Sequence, residues 1–269
     1  MRVTLSGVSR LPVLTRIPGL LPLVLSAALA VAGCTPKPVS APEASATPAV
    51  VRLLATDLTE PLLLDLAGAY TETNRDIALI PEQVPAGALA ADLDSGQGDL
   101  GLALAPATAR FATPLGYVRL VVVVPLANQV KQLDLAQVQA LFSGQVTDWA
   151  QLGGAPGPVQ PVVRPAAGDA AQLFSAQALS GAAPSPGALL APTWAAMLAL
   201  VSQTPGAIGY LPSFALDASV QAVRLPADLR ALIVAVATTE PAGPARDFLA
   251  WAQSGAGQAV VAQRHEALK

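Results

Sequence analysis

Between residues 51 and 263 the chain alternates short apolar runs with amphipathic helical segments, and this alternation constrains the fold more than any other feature. Residues 51–55 read as a strand. Thr59-Glu60-Pro61 then opens a helix, because proline is tolerated in a first turn. Leu62, Leu63, Leu66 and Tyr70 give that helix one apolar face. Strands are expected at 77–80, 100–104 and 118–124, with a short helix at 89–93. Such alternation builds βαβ units around a mostly parallel sheet. The fold class is α/β.

The best-marked helix spans 133–142. Asp134 is its expected N-cap and Gln137 stands three residues on, as in a capping box. Leu133 and Val138 hold the staple positions, and Gly144 stops the helix. Residues 159–164 read as a strand, with Pro161 marking an edge or a bulge. Helices at 170–179, 194–201, 245–251 and 258–263 and strands at 207–210, 220–225 and 232–237 complete the pattern. No tandem repeat is present.

Ahead of this lies an address. Arg2, Arg10 and Arg16 precede an apolar run from Gly19 to Gly33, with no acid among residues 1–34. A basic region, a short apolar region and small residues at its end describe a secretory signal. The run is 15 residues long, and a spanning helix needs roughly 20. Pro22 also interrupts it. Val31-Ala32-Gly33-Cys34 resembles a bacterial lipobox, in which the cysteine is lipidated and becomes the first residue. The expected division is a signal peptide at 1–33 and a Pro/Ala/Ser/Thr-rich tether at 34–50. Several acyl chains on Cys34 would anchor the chain stably, where one alone is marginal. The localisation expected is extracytoplasmic and lipid-anchored.

Charge and composition remove several functions. The net charge is −3 and no Lys/Arg cluster exists, so nucleic acid is not an expected partner. Only 12% of residues are charged, too few for a coiled coil. One Cys and one His cannot build a zinc site or a disulfide framework. No cofactor or metal is expected. Gly96-Gln97-Gly98-Asp99-Leu100-Gly101 matches a dinucleotide-binding spacing, but there a strand must precede and a helix follow. Here the order is reversed, and the segment reads as a helix-to-strand turn. His265 lies in a polar tail and is expected to face solvent. No nucleophile stands beside a base, and no G-x-S-x-G elbow occurs. The chain is not expected to be an enzyme.

One stretch is specific. A helix ends in Leu141-Phe142-Ser143-Gly144, and Thr147-Asp148-Trp149, Leu152-Gly153-Gly154 and the strand leading to Arg164-Pro165 follow. This order resembles the phosphate-binding component of phosphate ABC importers, with its Phe-x-Gly-x-x-x-x-Trp, Leu-Gly-Gly and strand-ending Arg. Gly98-Asp99-Leu100-Gly101 resembles the Asp-Ile-Gly strand start of that family. Pro205-Gly206-Ala207-Ile208-Gly209-Tyr210 resembles its Pro-Gly-Ala-Ile-Gly-Tyr turn. The segment from Phe248 to Gln258 resembles its terminal pattern.

The resemblance implies a two-lobe periplasmic-binding-protein type II fold, with crossover strands and a ligand cleft between lobes. Residues 118–124 and 232–237 are the candidate crossovers. Lobe 1 would comprise 51–122 and 233–269, and lobe 2 would comprise 123–232. Ligand is trapped by hinge closure. The resemblance further implies a monomer that delivers phosphate or another small polar solute to an ABC importer permease. Arg164 matches the family's anion-binding Arg, and Asp99 its Asp. Arg offers a charge-assisted fork, and helix N-termini attract anions.

The departure is at the next loop. The family has Gly-Ser-Gly-Thr, and this chain has Ala167-Gly168-Asp169-Ala170. Gly168 and Asp169 therefore join the candidate ligand set, but both hydroxyls are gone. Asp169 is expected to cap its own helix and to repel an incoming dianion. Two like charges about 4 Å apart cost about 4 kcal/mol at an effective dielectric of about 20. In the first loop, Thr56 or Thr59 can still donate. The sequence thus predicts weak phosphate binding or a different ligand. The competing expectation is a cell-surface lipoprotein that keeps the fold but acts as a signalling or interaction module without anion binding.

Overall fold

The computed structural model describes residues 48–107 and 109–269. The leader, Cys34 and nearly all of the expected tether lie outside the described residues. The chain runs β1 (Ala49–Ala55), α1 (Glu60–Thr73), β2 (Ile77–Gln83), α2 (Leu89–Asp94), β3 (Leu100–Leu104) and β4 (Phe111–Pro125). It continues with α3 (Leu135–Ser143), β5 (Gln160–Val163), α4 (Asp169–Ala178), β6 (Leu189–Leu190), α5 (Trp194–Gln203) and β7 (Ala207–Pro212). It closes with β8 (Val220–Val223), β9 (Leu229–Ala237), α6 (Gly243–Gln253), α7 (Gly255–Arg264) and β10 (Glu266–Ala267). Ala49 and Val50, expected in the tether, already belong to β1. No helix among the described residues is long and apolar enough to cross a membrane.

The strands lie in the order β2-β1-β3-β9-β4-β7-β5-β6, with β8 and β10 also on β4. β1 is parallel to β2 and β3, and β5 is parallel to β6 and β7. The joints between these groups are antiparallel, because β4 pairs antiparallel with β9, β7 and β8. The expected mostly parallel sheet is therefore a mixed one. β4 is the long connector. Its first part pairs with β9 and its last residues pair with β7 and β8. It begins at Phe111, seven positions before the expected strand. Pro114 and Gly116 hid that beginning, and there the ladder slips by a bulge.

Local chemistry explains the elements. In α1, Leu62, Leu63 and Leu66 are fully buried, each contributing about 1.5–3 kcal/mol over an exposed position. Tyr70 of α1 meets Phe248 and Trp251 of α6 edge-on, at centroid distances of 5.3 and 5.2 Å. In α3, Asp134 and Gln137 complete the capping box from both sides, and Gly144 ends the helix in a left-handed turn. A second aromatic group joins α3, α4 and β7, where Tyr210 stacks on Phe174 at 3.9 Å beside Phe142.

Two expectations about single residues are corrected. Pro161 is not on an edge, because β5 lies between β7 and β6. Its missing N–H is tolerated because β7 pairs with residues 160–161 and β6 with residues 162–163. His265 does not face solvent. It is 9% exposed, β10 turns back onto β4 just after it, and its ring lies 5.1 Å from that of Phe214.

The segments that carry the resemblance meet as scaffold. The Trp149 indole Nε1–H donates to the Gly206 carbonyl at 2.9 Å. Gly206 has φ +75, and a Cβ there would stand 2.0 Å from the Pro158 carbonyl oxygen. Only glycine fits that position.

Candidate functional site

The carboxyl ends of β1 and β5 face one another, which is where ligands gather in open α/β sheets. Thr56, Asp57 and Leu58 follow β1. Arg164 follows β5, and Asp169 opens α4.

Arg164 is 8% exposed. One guanidinium nitrogen donates to the Asp57 carboxylate at 2.5 Å, and another donates to the Ala191 carbonyl at 3.1 Å. The guanidinium lies over the Trp194 ring, 4.2 Å from its centroid, a cation–π contact. The Arg164 backbone N–H donates to the Tyr210 hydroxyl at 3.2 Å. Burial pushes the Tyr210 hydroxyl up to about 12, so it stays neutral. The guanidinium that would grip an external anion thus already holds a carboxylate of this chain.

Asp169 repeats this arrangement at the start of α1. It is 6% exposed. Its carboxylate accepts from the Thr56 hydroxyl and, at 3.4 Å, from the Leu58 N–H. Its other oxygen accepts from the Ala170 N–H at 2.9 Å. The positive end of α1 favours such a negative group. Burial raises the Asp169 pKa most, and Asp57 adds to that rise. The Thr56, Leu58 and Ala170 bonds pull it back. Asp169 is the first helical residue of α4, and Gly168 is the N-cap. The expected self-capping is corrected in position: Gly168, not Asp169, is the N-cap, and the Asp169 carboxylate, besides its bond to the Ala170 N–H, reaches across to Thr56.

The other candidates separate. Gly168 places its own N–H on the Pro165 carbonyl and lines a cavity of about 290 Å³ with Asp57, Arg164 and Trp194. Thr59 is fully buried, and its hydroxyl donates to the Leu102 carbonyl at 2.9 Å. Thr56 is therefore the threonine on the cleft side. Asp99 does not join the group. It is exposed, and it accepts from the Arg52 N–H at 2.8 Å. β1 and β3 are parallel with Leu53 opposite Leu100, so Asp99 sits at the starting end of the sheet and Thr56 at the finishing end. The finishing end of β3 carries Leu104, Ala105 and Pro106, with no carboxylate.

A larger cavity of about 590 Å³ opens beside Thr56 and Asp169. Asp57 and Trp194, both in contact with Arg164, had no role assigned from sequence. The position of Asp57 next to Thr56 was the one available signal. Among the described residues, no group of three or more His, Cys, Asp or Glu side chains gathers to hold a metal ion.

A family model described as a PBP superfamily domain matches residues 42–251. The phosphate-binding protein PstS of Bacillus subtilis (strain 168) is 31% identical over 97 residues, covering 36% of this chain and 32% of that protein. The matched part is about a third of that relative's length. An ABC-type phosphate transport receptor from Vibrio cholerae superposes with a TM-score of 0.71 at 20% identity, covering 81% of this chain and 100% of that one. A phosphate-bound structure from Clostridium perfringens, ascribed to a phosphate ABC transporter substrate-binding protein, gives 0.73 at 20%, covering 82% and 100%.

Proposed function

This chain belongs to the PBP superfamily, and from that premise we propose that it is the extracytoplasmic solute-binding component of an ABC importer, tied to a membrane by lipid on Cys34. It acts as a monomer that hands its solute to a membrane permease. In this reading lobe 1 comprises residues 51–122 and 233–269, lobe 2 comprises residues 123–232, and β4 and β9 link them. The phosphate-binding names among its relatives support a cleft built for a small anion, and the residues that line this chain's cleft change which solute it favours.

One observation carries the reading: the chain's own carboxylates take the positions that an anion would need. Asp57 holds the Arg164 guanidinium, and Asp169 holds the Thr56 hydroxyl and the α1 N-terminus. Phosphate must displace both, and both repel it. The receptor therefore binds phosphate weakly. The same observation favours a second reading, a lipoprotein of this fold that signals without binding an anion. A thermal-shift screen of the full chain separates the two. A solute receptor is stabilised by some small molecule, and an interaction module is stabilised by none.

A further inference from the structure

The β1–α1 loop and the β5–α4 loop each send one carboxylate across to the other. Asp57 crosses from the first loop to the Arg164 guanidinium at 2.5 Å. Asp169 crosses from the second to the Thr56 hydroxyl and the Leu58 N–H. In the receptor reading the first loop belongs to lobe 1 and the second to lobe 2, so all three bonds join lobe to lobe.

The partners are held ready on their own sides. Arg164 is fixed within lobe 2 by the Ala191 carbonyl and the Trp194 ring, which leaves one nitrogen for Asp57. Asp169 is fixed by the Ala170 N–H. The Thr56 hydroxyl lies 3.0 Å from that of Thr59 on its own loop. Such preorganisation lowers the entropy lost when the loops meet. The three charged groups are largely withdrawn from water, which strengthens their bonds. Beside these bonds, α2 of lobe 1 and α4 of lobe 2 both line the cavity of about 590 Å³. Hinge opening would widen that cavity. A hydrogen bond is lost by about 3.6 Å, so an opening wide enough to admit a solute parts all three bonds together.

We propose that Asp57 and Asp169 form a two-point latch: they act as built-in ligands that hold the lobes closed without a solute, and a solute enters only when both have let go. The inference rests on the lobe division of the receptor reading.

The test uses the full chain with Cys34→Ser and nitroxide labels at Ala91→Cys on α2 and Ser175→Cys on α4, neither of which lines the cavity. Double electron–electron resonance then reads the lobe separation. With the latch residues intact, one short distance is expected, unchanged by millimolar phosphate. Asp57→Ala should lower the closed-to-open ratio at least tenfold, the effect of losing one charge-assisted bond. Adding Asp169→Ser should lower it further. Thr56→Val keeps the side-chain shape and should also lower it, which supplies the reading if Asp57→Ala does not fold. Cooperative melting shows which variants fold. The same short distance in every folded variant overturns the latch, and so does a long distance in the parent that a solute shortens. If the variants stay closed while some solute stabilises the parent in the thermal-shift screen, the latch falls and the receptor reading stands. If the variants open and no solute stabilises the parent, the latch stands and the receptor reading falls.

Discussion

The Thr56 hydroxyl donates to the Asp169 carboxylate across 113 positions of sequence. This contact and the neighbouring Asp57–Arg164 pair join the finishing end of β1 to the finishing end of β5 and the start of α4. A cleft that would otherwise present a hydroxyl, a helix N-terminus and a guanidinium to an anion presents them to itself.

The Asp57–Arg164 ion pair is expected to contribute to stability. Arg164→Met removes the ion pair, the bond to Ala191 and the cation–π contact with Trp194. Breaking a wholly buried pair costs about 3–5 kcal/mol. Asp57 keeps 26% of its side-chain exposure, so a loss of about 2 kcal/mol is expected in urea unfolding. The same change in an Asp57→Asn background should cost less. Equal costs in both backgrounds would show that the pair is not coupled.

The scaffold prediction concerns Gly206. Trp149→Phe removes one hydrogen bond to its carbonyl and should cost about 1 kcal/mol. Gly206→Ala faces both the positive φ and the Pro158 carbonyl, and should cost more than Trp149→Phe. Equilibrium denaturation of the two variants ranks them, and the reverse order would contradict the structure.

His265 makes acid stability testable. Burial, with Arg264 beside it, lowers its pKa from 6.5 to about 4. The unfolded chain therefore takes up a proton first. The contribution to stability is full above pH 6.5 and is lost as pH falls through about 4. The slope in that window is at most about 1.4 kcal/mol per pH unit. His265→Leu should flatten this part of the stability–pH curve, and an unchanged slope would place the titration elsewhere.

The sequence was legible where structure is set by near neighbours. The capping box of α3, the apolar face of α1 and the reversed glycine turn before β3 are all local patterns. The first half of β4 was not legible, because Pro114 and Gly116 break the strand pattern and only pairing with β9 makes it a strand. Asp99 was misplaced for a related reason. A motif gives a residue's neighbours in sequence, but the parallel register of β1 and β3 decides which end of the sheet it occupies. His265 sits in a polar tail, and nothing local shows that β10 folds back on β4. In the cleft, Arg164, Thr56 and Asp169 were each visible, but their mutual contacts depend on two loops more than 100 residues apart in sequence.

The most direct measurement is phosphate titration by calorimetry on the full chain and on Asp169→Ser. The substitution removes the carboxylate from the α1 N-terminus and puts a neutral hydroxyl in its place. The account predicts no submicromolar binding in the parent chain and at least a tenfold gain in the variant, about 1.4 kcal/mol. Submicromolar affinity in the parent chain, or no gain in the variant, would contradict it.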